Sequence, residues 1–176
     1  MFLGRVSHNK LYEYDPESNA FALIKTKGSV PSGRSKAAVV QCDNNVYLHG
    51  GIASDCQPRN DFFILDMETL IWTRIKATGL PRGIEGHTLS RMSSSQMMLV
   101  GGKMDSMGSS NAVLIFDAVK EEWREEAPIS PEAGVNGCYN HYAFPIPTDE
   151  GVVIVIIGGR DDAKPSDLML LFEISY

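Results

Sequence analysis

The sequence predicts an all-β protein built from a repeated unit of four short strands, and three observations support this prediction. Three similar passages begin at Asn9, Asn60 and Asn111, so that each starts 51 residues after the previous one. Turn signals interrupt the apolar runs roughly every ten residues, which is typical of short strands joined by tight turns. No stretch keeps a helical period of about 3.6 residues, so no long helix is expected.

The repeat is defined by landmarks that keep one spacing. An aspartate and an aromatic residue recur at the 51-residue interval in all three passages, as Asp15, Asp66 and Asp117 and as Phe21, Trp72 and Trp123. A glycine doublet closes an apolar run three times, at Gly50 and Gly51, Gly101 and Gly102, and Gly158 and Gly159. The last doublet follows after 57 residues. We therefore expect an insertion in the final unit, at the Pro- and Gly-containing segment PIPTDEG.

The strands can be assigned in order along the chain. LYEYD and AFALIK come first, and the next unit supplies KAAVVQ, VYLH, DFFILD and IWTRIK. The following unit supplies HTLSRM, QMMLV, AVLIFD and WREEA, and the last supplies HYAFPI, GVVIVII and LMLLFEIS. The sequence thus predicts a half unit at 1–30, full units at 31–80 and 81–128, and a unit lacking its last strand at 129–176.

The recurring residues have physical reasons to recur. Two residues without Cβ at a strand end allow close approach of neighbouring backbone and a sharp bend out of the sheet. Asp15 and Pro16 have the chemistry of a turn in which the aspartate caps its own backbone. The aromatic residue at the start of each fourth strand offers a large apolar surface for packing between adjacent sheets.

Together these motifs resemble the kelch repeat. The resemblance rests on about fifty residues per four strands, the GG doublet, the passages YDPESNAF and LDMETLIW, and the lead-ins PSGR and PRG. It covers the whole chain and implies β-propeller blades, each a four-stranded antiparallel sheet. We expect about three to four blades, which form either a partial propeller or a closed ring.

This sequence departs from the repeat at three places. The first unit has no doublet, Ala37 stands where His87 and His141 stand in later units, and Glu173 replaces the turn aspartate of the last unit. Three ways of completing the ring remain open. Strands from the two termini could share a blade, a second copy or another chain could supply the absent blades, or the chain could be part of a longer propeller.

Composition excludes several functions. The formal net charge of −6 argues against non-specific binding to nucleic acid or to an anionic membrane. No apolar run is long enough to span a bilayer, and the N-terminus does not resemble a signal peptide. Cys42, Cys56 and Cys138 cannot all pair and show no metal-binding spacing, so we expect free thiols, no metal and no cofactor. These features favour the cytoplasm, with the nucleus as an alternative.

The resemblance implies partner binding through loops at one mouth of the propeller. These loops are the segments 1–8, 52–59, 103–110 and 160–165, together with the lead-in segments. They hold six cations that could bind carboxylates of a partner protein or peptide, with Arg34 and Arg82 preferred: Arg5, Arg34, Arg59, Arg82, Lys103 and Arg160. The same loops also hold Asp55, Asp105, Asp161 and Asp162, so ordinary solvated surface charge is the alternative.

An enzymatic function receives less support. Some kelch-like propellers are copper oxidases, and GCYNHY brings Cys138, Tyr139, His141 and Tyr142 together in sequence. Alternation along a strand would place Cys138 and Tyr142 on one face and Tyr139 and His141 on the other. We therefore expect a non-enzymatic interaction module, with His87 and His141 forming hydrogen bonds within or between blades. A portion of a larger propeller and a redox enzyme remain the alternatives.

Overall fold

The computed structural model describes residues 8–79, 82–105, 107–126 and 137–162, and the backbone of 169–175. These residues form strands and turns without any helix. In chain order the strands are β1 (Leu11–Asp15), β2 (Ala20–Ile24), β3 (Lys27–Gly28), β4 (Arg34–Ser35), β5 (Ala38–Cys42), β6 (Asn45–His49), β7 (Ile52–Ala53), β8 (Phe62–Asp66), β9 (Ile71–Ile75), β10 (Thr88–Arg91), β11 (Gln96–Val100), β12 (Lys103–Met104), β13 (Gly108–Ser109), β14 (Val113–Asp117), β15 (Glu122–Glu125), β16 (Tyr142–Thr148), β17 (Gly151–Ile157) and β18 (Met169–Ser175).

The long strands form one hairpin and three sheets. The hairpin is β1-β2, and the sheets that follow it are β5-β6-β8-β9, β10-β11-β14-β15 and β16-β17-β18, each antiparallel throughout these strands. We call them the N-terminal hairpin, sheet 1, sheet 2 and sheet 3. The predicted all-β fold of kelch-type blades is confirmed. The longer strands β16 and β17 flank the turn of the PIPTDEG segment.

The principal core lies between sheet 1 and sheet 2. Phe62 of sheet 1 meets Phe116 of sheet 2 edge to face, with ring centroids 4.7 Å apart, and Trp123 lies 5.4 Å from Phe62. All three side chains are buried. A second cluster, which includes Ile115 and Ile156, joins sheet 2 to sheet 3. Alternating apolar side chains from facing sheets thus make the core, as in other packed sheets.

The aromatic position does not have the same surroundings in every unit. Trp72 and Trp123 are buried, as predicted, whereas Phe21 is 71% exposed and touches only Tyr14 of its own hairpin among the ring contacts of the described residues. The prediction that Phe21 packs between sheets was therefore wrong. The face of the hairpin that carries Phe21 has no neighbouring sheet in the described part of the chain.

The turn aspartates cap their own turns. The Asp15 carboxylate accepts a hydrogen bond from the Glu17 amide at 3.0 Å. Asp66 and Asp117 accept the equivalent bonds from the amides two and three residues further on. The hydrogen bond from the Ser18 hydroxyl contributes most to lowering the pKa of Asp15. Each aspartate is thus explained by local turn structure.

Units are joined in register by backbone bonds. The Ser29 amide donates to the Trp72 carbonyl at 2.7 Å, and the Trp123 amide donates to the Thr78 carbonyl at 2.9 Å. The end of one unit therefore runs parallel to the fourth strand of the next. These bonds fix the order in which the sheets pack.

The glycine doublets occupy left-handed backbone positions with unequal space around them. A Cβ on Gly101, at φ +61°, would come within 2.5 Å of the Cys138 carbonyl oxygen. Gly158 has φ +67°, but a Cβ there would meet no atom within 4 Å among the described residues. The predicted close approach is confirmed at Gly101, whereas no described residue makes such a contact at Gly158.

These two glycines give a matched pair for stability measurements. Gly158→Ala should cost about 1 kcal/mol, because it adds only the strain of a left-handed residue. Gly101→Ala should cost about 1 to 3 kcal/mol more, because the neighbouring backbone must also move. Urea unfolding of both variants checks this difference. Equal losses would contradict the assignment of Gly101 to a close backbone contact.

Candidate binding mouth

The loops predicted to form a mouth are paired in space with the lead-in segments. In the unit that contains sheet 1, β4 and β7 pair as a separate two-stranded sheet. In sheet 2, Glu85 pairs with Lys103, and in sheet 3 Tyr139 pairs with Arg160 through two backbone bonds of 3.0 Å. The segment after each doublet is therefore tied to the lead-in of the same unit. Arg5 and residues 163–165 lie outside the described residues.

Neighbouring lead-ins are also joined. The Gly86 amide donates to the Lys36 carbonyl at 2.9 Å, and the Asn140 amide donates to the Gly86 carbonyl at 2.7 Å. All three residues have a positive φ. This places Ala37, His87 and His141, the next residues in each unit, at equivalent positions, as the sequence predicted. The mouth is thus a continuous backbone structure across three units.

Arg34 is part of the structure beneath this surface. Its side chain is only 4% exposed and forms an ion pair with Asp61 through both terminal nitrogens. One of those nitrogens also donates to the Gly50 carbonyl at 2.9 Å, and the guanidinium lies over the Phe63 ring. Most of its hydrogen-bonding capacity is therefore used within sheet 1.

Three other cations near the mouth have carboxylate partners. Lys36 pairs with Glu85 at 2.9 Å and links two units, while Arg59 pairs with Asp55 at 2.6 Å within one loop. Lys103 pairs with Asp162 at 3.1 Å. The backbone amide of Ser109 donates to the same carboxylate at 2.6 Å, and this bond contributes most to lowering the pKa of Asp162. Much of the predicted cationic charge is therefore balanced locally.

Arg82 and Arg160 differ from the other cations of the mouth. Among the described residues neither has a carboxylate within ion-pair distance. Arg82 donates to the Met107 sulfur at 3.3 Å and helps to line a cleft of about 190 Å³ with Gln57 and Pro58. Within the described part of the chain, their charge is therefore not balanced by a carboxylate.

Tyr139 forms a platform for two of the mouth cations. The Lys103 Nζ atom lies 5.2 Å from the centre of its ring, and the Arg160 guanidinium carbon lies at 5.8 Å. The aromatic ring attracts each of the two cations. Tyr139 is buried, so the platform itself is fixed by packing. No feature of the sequence around Tyr139 indicates this role.

Two buried histidines, His49 and His87, meet beneath the mouth. His87 Nε2 lies 3.0 Å from Nδ1 of His49, and both rings are buried between sheet 1 and sheet 2. The predicted hydrogen bond between blades is confirmed for His87, and for His141 it stays a prediction. Burial lowers the pKa of His49 and of His141 to about 4, and it holds the pKa of His87 well below its ordinary value. At neutral pH these imidazoles are uncharged.

The cysteines and histidines do not form a metal centre in the part of the chain that is described. All three cysteines are free, and burial raises the pKa of the Cys138 thiol to about 11. Such a thiol stays protonated at neutral pH and is a poor nucleophile or metal ligand. The described residues form no helix that is long and apolar enough to cross a membrane.

The four-stranded sheets, their doublets and the paired mouth loops define a propeller-type protein. The chain matches the model of the KLHDC2/KLHL20/DRC7 Kelch-repeats domain over residues 3–174, and it therefore belongs to the kelch-repeat family. Together with the relatives it matches, this supports a protein-interaction propeller module.

Two similar curated proteins are the following plant proteins. Putative adagio-like protein 2 of Oryza sativa subsp. japonica is 32% identical over 154 residues, which cover 84% of this chain and 23% of that protein. Adagio protein 3 of Arabidopsis thaliana is 33% identical over 153 residues, which cover 82% and 23% respectively. The chain thus spans about a quarter of the length of these relatives.

Proposed function

We propose that this chain is a non-enzymatic module that binds a carboxylate-rich segment of a partner protein through the mouth. One observation carries the proposal: Arg82 and Arg160 have no carboxylate partner among the described residues, although the other described cations of the mouth do. The two arginines come from different units and lie at the same end of the sheets. Their free N–H donors suit a ligand that carries more than one carboxylate.

The surroundings of the two arginines suit a peptide ligand. Arg160 lies against Tyr139 and Arg82 against Met107, so that apolar surface adjoins each charge. Met107 is 59% exposed and could cover aliphatic parts of a peptide. The alternative interpretation, ordinary solvated surface charge, describes Arg59 better, because Arg59 already forms an ion pair with Asp55 in the same loop. Three free thiols suit a reducing compartment, so we place the module in the cytoplasm or nucleus.

A binding experiment tests this function. The probes are a fluorescein-labelled oligoglutamate peptide and an oligoglutamine peptide of equal length, measured by fluorescence polarisation. We expect Arg82→Glu and Arg160→Glu each to weaken oligoglutamate binding about tenfold, since each removes a charge-assisted hydrogen bond and adds repulsion. Binding should also weaken as salt rises.

Arg74→Glu is the matched control, because Arg74 is an exposed arginine on β9, outside the mouth. It should leave binding within about twofold of the unchanged protein, as expected for a distant surface charge. Arg34→Glu is unsuitable, since it would disrupt the buried pair with Asp61. The proposal fails if oligoglutamate binds no better than oligoglutamine, or if all three substitutions weaken binding equally.

A further inference from the structure

Two methionines form part of the wall beside one of the mouth arginines. Met104 and Met107 line the cleft of about 190 Å³ that also contains Arg82. A terminal nitrogen of Arg82 donates a hydrogen bond to the Met107 sulfur at 3.3 Å. A thioether sulfur is a weak acceptor, so this contact holds the guanidinium only loosely. Asp105 lines the same cleft, but its carboxylate lies outside ion-pair distance of Arg82.

Met107 is also the most exposed methionine among those whose side chains the structure describes. It is 59% exposed, and Met67 follows at 40%, whereas Met97 and Met98 are completely buried. An oxidant in solution reaches a sulfur through its exposed surface, so Met107 and Met67 should react before the others. Of these two, only Met107 accepts a hydrogen bond from a cation within the described structure.

We propose that Met107 is a site of reversible oxidation that controls Arg82. The oxidant is hydrogen peroxide, and the thioether sulfur attacks one of its two oxygens. A sulfur–oxygen bond forms, the oxygen–oxygen bond breaks, and the second oxygen leaves as water with both hydrogens. The sulfur is thereby oxidised by two electrons and the peroxide is reduced. The product is methionine sulfoxide, which methionine sulfoxide reductases return to the thioether.

The new oxygen changes the strength of the contact with Arg82. A sulfoxide is polar, and a hydrogen bond that it accepts from a guanidinium is charge-assisted. The oxygen is added to the atom that already accepts from Arg82. Because Met107 is exposed, its side chain can move outward until the N–H···O distance is normal. Oxidation therefore replaces a weak contact of Arg82 with a strong one.

The effect on ligand binding rests on the proposed function, whereas the coupling between Met107 and Arg82 does not. A guanidinium that is bound to the sulfoxide must be released before it can bind a carboxylate. The affinity then falls by the fraction of molecules in which Arg82 is free, and we expect oligoglutamate to bind about threefold to tenfold more weakly. Arg160 lies over Tyr139 and keeps its share of the binding.

Oxidation of the full chain followed by fluorescence polarisation tests the effect on binding. All proteins carry Cys56→Ser, which removes the exposed thiol, and peptide mapping by mass spectrometry measures the sulfoxide at each methionine. Each protein is compared with itself before and after peroxide. The starting protein and its Met67→Leu variant should lose about threefold or more in affinity for oligoglutamate, whereas Met107→Leu should lose less than about twofold. Reduction by methionine sulfoxide reductases should restore the affinity.

A double-mutant cycle repeats the test without an oxidant. Glutamine at this position carries a carbonyl oxygen in place of the sulfoxide oxygen, and leucine carries no acceptor. Met107→Gln should therefore bind oligoglutamate about threefold more weakly than Met107→Leu. Some of this difference could come from the lower apolarity of glutamine. The comparison is therefore repeated in Arg82→Gln proteins, where the contribution of the guanidinium to the difference should vanish.

The reactivity of Arg82 tests the coupling without any ligand. Phenylglyoxal modifies free guanidinium groups, and mass spectrometry measures its rate at each arginine. Oxidation should slow the modification of Arg82 about threefold and leave that of Arg74, an exposed residue of β9, unchanged. An unchanged rate at Arg82 would overturn the coupling.

The outcomes separate this inference from the proposed function. If the unoxidised protein prefers oligoglutamate to oligoglutamine, but peroxide weakens the Met107→Leu variant as much as the starting protein, the inference is overturned and the proposed function stands. If the unoxidised protein has no such preference, the proposed function fails. The phenylglyoxal rates then still decide whether oxidised Met107 binds Arg82.

Discussion

Replacing Trp123 with alanine is expected to lower the free energy of unfolding by about 3 to 5 kcal/mol. The side chain is 4% exposed and lies between sheet 1 and sheet 2. Its ring centre is 5.4 Å from that of Phe62 and 5.1 Å from that of Phe116. The loss combines the transfer of a large apolar surface with the cavity left behind, because the flanking strands are fixed by their ladders.

Chemical unfolding followed by circular dichroism measures this loss without relying on the tryptophan signal. Val119→Ala provides the control from the same strand pair, since Val119 is exposed in the turn that precedes Trp123. It should change the stability by less than about 0.5 kcal/mol. A loss below about 1 kcal/mol for Trp123→Ala would show that the two sheets do not share a core at this position.

The fold could be predicted from the sequence because its determinants are local and repeated. The glycine doublets, the turn aspartates and the aromatic positions keep one spacing, and each acts within a few residues of its own position. Burial is different, since it depends on the neighbouring sheet. Trp123 and Phe21 occupy the same position in their units, yet only Trp123 has a described sheet packed against it.

The part played by Arg34 could not be predicted from its own motif, because its partner Asp61 is 27 residues away. Equivalent positions in two units do indicate this ion pair when they are compared. Ile84 occupies the position of Arg34 in the next unit, because it precedes His87 as Arg34 precedes Ala37. Ala112 occupies the position of Asp61, since each carbonyl accepts a bond from the first glycine of a doublet. The two charges are therefore present together in one unit and absent together in the next. Such paired changes between repeats indicate contact.

His49 could not be predicted as the hydrogen-bond partner of His87, for a related reason. His49 takes the place that Val100 holds in the next unit, so its position predicts an apolar core residue. The repeat register does place both residues near the seam between sheets. What it does not provide is the side-chain direction that brings the two rings within 3.0 Å.

These histidines lead to the last prediction, that the protein loses stability steeply as the pH falls from about 6.5 to about 4. Burial lowers the pKa of His49 and of His141 to about 4 in the folded protein. In the unfolded chain the same groups take up protons near their ordinary pKa of about 6.5. The unfolded state therefore binds more protons throughout this range, and acid shifts the equilibrium toward it.

The expected loss of stability follows from the pKa values of a histidine in the folded and in the unfolded state. Each such histidine contributes a slope of about 1.4 kcal/mol per pH unit, and His49 alone accounts for roughly 3 kcal/mol between pH 6.5 and 4. His87 adds to the loss, since its pKa is also lowered by burial. The turn aspartates act in a different range. Hydrogen bonds lower their pKa values, so their contribution is kept above a pH of about 4 and lost only below it.

Urea unfolding at a series of pH values measures the slope, and His49→Val separates the histidine contribution from general acid effects. Valine matches the residue at the equivalent position, Val100. The variant should be less stable at neutral pH because His87 loses its hydrogen-bond partner. Below pH 6.5 its free energy of unfolding should nevertheless fall less steeply, by about 1.4 kcal/mol per pH unit, because one titrating group has been removed. If the free energy of unfolding changed with pH in the same way in both proteins, His49 would take up no proton on unfolding. That result would contradict a neutral, buried His49 in the folded state.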